Sequence, residues 1–168
     1  YMGFGTGIVP EGWGFPLQNR GHNFSLDLDH PNAIAPGKRP YHTIIPGLIT
    51  RGDGSLWGPF GVMGGFMQPQ GHMQVASALL DDGVDPQTAL DRLRFCIEPT
   101  VAGGAVSLEW GLPDALVHGL ARLGHPLVPD VSGDARGLFG RGQIIEHRDD
   151  GVLCGGSDPR ADGVAVGW

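Results

Sequence analysis

Two adjacent glycines between an apolar run and a helical pattern are the clearest candidates for chemistry in this sequence. They stand in the stretch Met63-Gly64-Gly65-Phe66, shortly before a helical pattern that begins near residue 70. Paired glycines at a strand-to-helix junction allow two backbone N–H groups to point into a pocket, the arrangement that holds an oxyanion. A tight turn that only glycine fits would use the same residues, and spacing alone does not decide between the two.

A second candidate is a loop rich in amide, guanidinium and imidazole groups, Gln18-Asn19-Arg20-Gly21-His22-Asn23-Phe24. Arg20 has the donors to bind a carboxylate, and Asn23 can hold a polar head group. A solvated turn has the same composition, and His22 is as typical of an exposed loop as of a binding site.

The third candidate segment, residues 32–43, ends in Tyr41-His42-Thr43 directly before a β-rich run. His42 and Thr43 become binding residues if that run faces a pocket, whereas the basic pair Lys38-Arg39 is more typical of a solvated turn. The seven histidines show no metal-ligand spacing. We therefore predict neither a metal site nor a cofactor.

Short strands and helices, separated by glycine and proline, are the elements that must position these groups. The β-rich runs 43–51 and 56–63 flank Gly52-Asp53-Gly54-Ser55, which predicts a hairpin. Apolar spacing and capping residues predict three helices, at 70–82, 85–93 and 113–123. A further strand at 106–110 and a second hairpin at 143–155 follow, while residues 1–40 are predicted to be mostly loop.

Composition limits the class of protein. With 168 residues and 40% hydrophobic content, we predict one domain over residues 1–168. The formal charge of −7 leaves no basic surplus, so neither nucleic acid nor an anionic membrane is expected as a partner. The chain starts within an element and without Met, so we expect an upstream segment and read no localisation from the sequence.

Four stretches, taken in order, resemble the small subunit of γ-glutamyltransferases. They are Phe4-Gly5-Thr6-Gly7-Ile8-Val9, residues 32–40, Met63-Gly64-Gly65 and Gly156-Ser157-Asp158-Pro159-Arg160. The resemblance runs through the whole chain, and residues 38–43 and 63–72 look like the branch that includes certain cephalosporin acylases. It implies an α+β fold, the C-terminal part of the four-layer α/β/β/α sandwich of N-terminal-nucleophile hydrolases.

The resemblance also implies a mechanism. Such precursors cut themselves and free a threonine, whose own α-amino group helps to activate its hydroxyl. By family spacing that threonine would lie about twenty residues before Tyr1. The nucleophile and the large subunit, the expected partner, are thus outside this chain, and we predict that the chain alone is inactive.

Residue by residue, the resemblance carries over only in part. Gly64 and Gly65 match the oxyanion glycines of the family. The other five residues depart from the family pattern at the substrate pocket. Arg20 and Asn23 stand where a glutamine and an aspartate bind the α-amino end, His42-Thr43 replaces a serine pair that binds the α-carboxylate, and Tyr1 replaces a substrate-contacting asparagine.

These differences change which acyl arm the pocket is expected to prefer. A neutral Asn23 removes the counter-charge of an α-ammonium group, and Arg20 adds a cation nearby. A plain glutaryl arm would then fit better than a γ-glutamyl arm. The sequence therefore predicts an amide hydrolase or acyltransferase acting on γ-glutamyl amides such as glutathione or on glutaryl amides. The alternative is a non-catalytic fragment or structural subunit that folds only with its large-subunit partner.

Overall fold

The computed structural model of the chain describes residues 5–98 and 104–167. The chain divides into two compact units, residues 1–44 and residues 45–168. The single domain over residues 1–168 stays a prediction.

The first unit consists mainly of turns, as its glycine, proline and asparagine content predicts. Its regular structure among the described residues is a short 3-10 helix, Arg20–Asn23. Backbone hydrogen bonds between separate turns hold the loops, for example from the N–H of Thr6 to the carbonyl of Leu17 (2.9 Å) and from the N–H of Ser25 to the carbonyl of Asn32 (2.9 Å). These bonds satisfy backbone groups that have no helix or strand partner.

The second unit contains an antiparallel four-stranded sheet in the order β1-β2-β6-β7. Its strands are β1 (Gly47–Thr50), β2 (Leu56–Met63), β6 (Arg141–His147) and β7 (Leu153–Ser157). The predicted hairpin between β1 and β2 is confirmed, although β1 is shorter than the predicted run. Its turn uses Gly54 at φ 85° and an Asp53 carboxylate that accepts from the N–H of Ser55 at 2.8 Å.

Two helices pack against this sheet, α1 (Gln68–Leu80) and α2 (Pro86–Asp91). The buried side of α1 has helical spacing, as its apolar pattern predicts. The side chain of Asp85 caps α2 by accepting from two backbone N–H groups. The hydrophobic core between helices and sheet consists of Val62, Val75, Ala78, Leu79, Ala89, Leu90 and Ile144.

A three-stranded sheet in the order β3-β4-β5 completes the second unit. It is formed by β3 (Phe95–Ile97), β4 (Val106–Glu109) and β5 (Leu127–Val131), and the third helix, α3 (Asp114–Arg122), connects the parallel pair β4 and β5. The strand β4 and the helix α3 are confirmed within about one residue at their ends. The sequence patterns predicted neither β3 nor β5.

Glutamine side chains of α1 satisfy the backbone of β3. Gln74 both accepts from the N–H of Phe95 and donates to its carbonyl, each at 3.0 Å. Gln70, one helical turn earlier, makes the same pair of bonds to Ile97 at 2.7 and 3.0 Å. The two amides bind backbone groups of β3 as a neighbouring strand would, and β4 pairs with the same strand.

Candidate functional site

The paired glycines lie where the sequence predicted them, between the end of β2 and a 3-10 helix, Gly65–Met67, that leads into α1. Gly64 has φ 155° and Gly65 has φ 60°, conformations that other residues rarely adopt. The carbonyl of Gly64 accepts from the N–H of Met67 at 3.1 Å. Within residues 5–98 and 104–167, no hydrogen bond uses the N–H of either glycine as a donor. This turn therefore has two donors available for an anionic oxygen.

A third glycine, Gly140, packs against this turn. It follows a 3-10 helix, Gly133–Phe139, and has φ 75°. A Cβ atom on Gly140 would lie 2.6 Å from Val62 Cγ1 and 2.7 Å from the carbonyl oxygen of Met63. The segment that enters β6 thus packs directly on the last residues of β2, where only glycine fits.

In the first unit, the structure brings together two of the predicted substrate-binding residues. The Nε atom of Arg20 donates to the Thr43 hydroxyl at 2.6 Å, across 23 residues of sequence. Both side chains are half-buried, whereas His42 is exposed. The binding roles predicted for these residues stay predictions.

Asn23 ends the 3-10 helix that Arg20 begins, so the two residues share one short turn. The Asn23 carbonyl accepts from the Asn32 side-chain amide at 2.7 Å, which ties this turn to the third candidate segment. Tyr1, the remaining predicted contact, lies outside the described residues. Gly64 and Gly65 belong to the second unit.

The second unit contains a cluster of buried charges that no sequence pattern indicated. It contains Arg94, Glu109, Asp158 and Arg160, whose exposed fractions are 2%, 1%, 1% and 8%. Arg94 Nη2 lies 2.8 Å from Asp158 Oδ2, and Arg160 Nη1 lies 3.1 Å from Asp158 Oδ1. Arg160 also makes a bidentate pair with Glu109, and Arg136 donates to Glu109 at 2.6 Å. Charges buried this deeply are tolerated only when paired and hydrogen-bonded.

Two residues of this cluster have shifted pKa values. Burial acts to raise the pKa of Glu109, but hydrogen bonds from Arg160, Arg136 and the Arg94 N–H outweigh it, so that the pKa lies below its usual value. Burial and the nearby Arg160 charge lower the pKa of Arg94, and Asp158 opposes this shift. Glu109 is therefore ionised at neutral pH.

Two members of the cluster, Arg94 and Asp158, hold the backbone on both sides of Gly140. Arg94 Nη1 donates to the carbonyl of Phe139 at 3.2 Å, and the N–H of Gly142 donates to Asp158 Oδ2 at 2.7 Å. The N–H of Asp158 returns a bond to the carbonyl of Gly142 at 3.2 Å. The stretch Gly156 to Arg160 was noticed in the sequence only for its resemblance, and no local signal indicated partners so distant in the chain.

Other kinds of site receive little support from the described part of the chain. No helix there is long and apolar enough to cross a membrane. Among the same residues, no three His, Cys, Asp or Glu side chains are grouped so that they would hold a metal ion. Both cysteines, buried Cys96 and half-buried Cys154, are free thiols.

Comparison with known proteins identifies the class to which this fold and this glycine turn belong. The family model described as gamma-glutamyltranspeptidase matches residues 1–168. The chain belongs to this family, and its fold is the α+β fold of the N-terminal-nucleophile hydrolases. The predicted family, small-subunit portion and fold class, a C-terminal part of the four-layer sandwich, are confirmed.

Particular relatives define the branch more closely. A cephalosporin acylase structure from Bacillus halodurans has a TM-score of 0.86 and 52% identity, covering 100% of this chain and 30% of that chain. A glutathione hydrolase-like YwrD proenzyme of Bacillus subtilis (strain 168) is 36% identical over 99% of this chain and 32% of its own length. An oxamate amidohydrolase proenzyme of Klebsiella pneumoniae is 35% identical over 100% of this chain and 32% of its own length. The chain thus spans about a third of the length of these curated relatives.

Proposed function

We propose that this chain is the oxyanion-binding part of an amide hydrolase or acyltransferase. The observation that carries the proposal is the turn at Gly64 and Gly65, where two consecutive N–H groups are available at the end of a central strand. In the proposed reaction a threonine upstream of this chain attacks an amide carbonyl, and these N–H groups stabilise the tetrahedral oxyanion. Water or an amine then takes the acyl group.

The donor is a γ-glutamyl amide such as glutathione or a glutaryl amide. The first unit favours the glutaryl arm, because Asn23 offers no negative charge to an α-ammonium group and Arg20 lies in the same turn. Two relatives, a cephalosporin acylase and an oxamate amidohydrolase, are consistent with a family branch that is not restricted to glutathione. Oxamate itself has a carboxylate and no α-amino group.

The proposal includes a partner, the large subunit cut from the same precursor. Its support is that the relatives are proenzymes about three times as long as this chain. Open apolar surface on this chain supports the same partner, since Leu48 and Leu153 on the four-stranded sheet are 67% and 65% exposed.

The test is a steady-state assay of the full-length protein with glutaryl anilide, γ-glutamyl anilide and oxamate. We expect the precursor to be cut into two chains and the glutaryl anilide to be turned over with the highest kcat/KM. Failure of the processed protein to release product from any of the three donors would contradict the proposal. It would instead favour the structural-subunit alternative.

A further inference from the structure

The buried charges and the glycine turn lie at two ends of one chain of contacts. Gly140 connects the buried charges to the glycine turn, because its backbone packs on Gly64. A Cβ on Gly64 would come within 3.0 Å of the Gly140 Cα. Any movement of Gly140 therefore changes the packing against the turn that carries the two N–H groups.

The position of Gly140 is set by its neighbours on both sides. Arg94 binds the carbonyl of Phe139, and Asp158 makes two hydrogen bonds with the backbone of Gly142. A side chain at Gly142 would lie 2.3 Å from Leu90 Cδ2, so this segment is also held sterically. Arg94 and Asp158 in turn fix each other through the 2.8 Å ion pair.

We infer that Asp158 and Arg94 are positioning residues for the oxyanion turn at Gly64 and Gly65. They act through the segment 139–142 and do not touch substrate. This inference rests on the proposed function. The geometry matters because oxyanion donors work only when they are held within a fraction of an ångström of the developing charge.

The principal variant is Asp158→Asn in the full-length protein. Each oxygen of Asp158 accepts from a different backbone N–H, Oδ2 from Gly142 and Oδ1 from Arg160. An amide has only one oxygen, so its NH₂ group must face one of these two donors. The variant keeps the shape of the side chain but weakens the hydrogen bonds that hold the segment 139–142.

Glu109→Gln is the matched control. Glu109 is as deeply buried as Asp158 and binds the same Arg160, but its bonds go to Arg94 N–H, Arg136 and Arg160 and not to the segment 139–142. Both variants remove one negative charge from the cluster. A loss of stability is therefore common to both, whereas a loss of turn geometry is expected only for Asp158→Asn.

We expect Asp158→Asn to lower kcat by about 10- to 100-fold per processed active site, with KM changed by less than about 2-fold. Hydrogen exchange should become faster in peptides covering residues 139–142 and 63–67. Glu109→Gln should lower the thermal midpoint by a similar amount but leave kcat within about 3-fold of wild type. Loss of kcat in both variants in proportion to lost stability would overturn the inference.

A second variant and a wild-type measurement cover the case in which Asp158→Asn does not fold or process. Arg94→Lys keeps the charge next to Asp158 but cannot also reach the Phe139 carbonyl, so it should show the same fall in kcat. In the wild type, the amide of Gly142 should exchange only through global unfolding. Exchange of that amide by local opening would overturn the inference without any variant.

Failure of the proposed function and failure of this inference give different experimental results. A wild-type protein that turns over no donor removes the proposed function, while hydrogen exchange still decides whether Asp158 holds the turn. An active wild type whose Asp158→Asn variant keeps its kcat and its exchange pattern removes the inference and leaves the function in place.

Discussion

Gly64 and Gly140 touch backbone to backbone, so closely that a Cβ on Gly64 would lie 3.0 Å from the Cα of Gly140. The two residues are far apart in sequence and meet where β2 ends and β6 begins. This contact explains why the first glycine of the pair is required by packing. The second, Gly65, has nothing within 4 Å of the corresponding position and is required only by its φ of 60°.

Alanine substitutions separate these two requirements. Gly65→Ala should cost about 1 kcal/mol of unfolding free energy, because only the left-handed conformation opposes it. Gly64→Ala should cost roughly 2–4 kcal/mol, since its Cβ also meets Gly140 and Met67. Denaturation midpoints of the two variants of the full-length protein measure the difference. Equal losses would show that the contact with Gly140 relaxes at little cost.

Removal of one N–H donor tests the catalytic role of the same turn. Gly65→Pro should lower kcat on the order of 10²–10³ or more, because proline has no N–H and cannot adopt a φ of +60°. Gly65→Ala keeps the N–H and is the control for strain at this position. A Gly65→Pro protein that is folded, processed and close to Gly65→Ala in kcat would mean that the turn is only structural.

Substrate preference tests the assignment of Asn23. Asn23→Asp should shift kcat/KM toward γ-glutamyl anilide relative to glutaryl anilide, by up to roughly 1–3 kcal/mol of transition-state binding, because it restores a counter-charge for the α-ammonium group. Asn19→Asp places the same charge at the other end of the 3-10 helix and is the control. A wild type that already prefers γ-glutamyl anilide, with a ratio unchanged in Asn23→Asp, would place Asn23 outside the amino-group site.

Acid stability tests the buried cluster. The pKa of Glu109 is lower in the folded state than in the unfolded state, so its ionised form stabilises the fold above the ordinary glutamate pKa of about 4.3. That stabilisation is lost as pH falls through the lower folded pKa. The difference in denaturation midpoint between wild type and Glu109→Gln should therefore shrink below about pH 4. A difference that does not change with pH would contradict the lowered pKa.

The 168-residue chain, purified alone, should release no product from γ-glutamyl anilide above a mock preparation. The reason is that it spans about a third of the length of its relatives, and family spacing predicts the nucleophilic threonine upstream of Tyr1. The full-length protein in the same assay is the control. Turnover by the isolated chain would require a nucleophile within residues 1–168.

The sequence by itself determined the features that depend on a few neighbouring residues. The Asp53-Gly54 turn, the Asp85 cap of α2 and the glycine pair before α1 were all predicted, because dihedral preferences and capping bonds act within a few positions. The order of four short motifs also predicted the family.

Only the tertiary structure decided the features whose partners are distant in the chain. Strand β3 (Phe95–Ile97) has only three residues and is held by pairing with β4 and by amides of Gln70 and Gln74, 27 and 21 residues away. Glu109 and Arg160 are 51 residues apart and meet only when two sheets are folded. Buried ion pairs and backbone contacts such as Gly64 on Gly140 are stable only in one three-dimensional arrangement, and no local propensity encodes them.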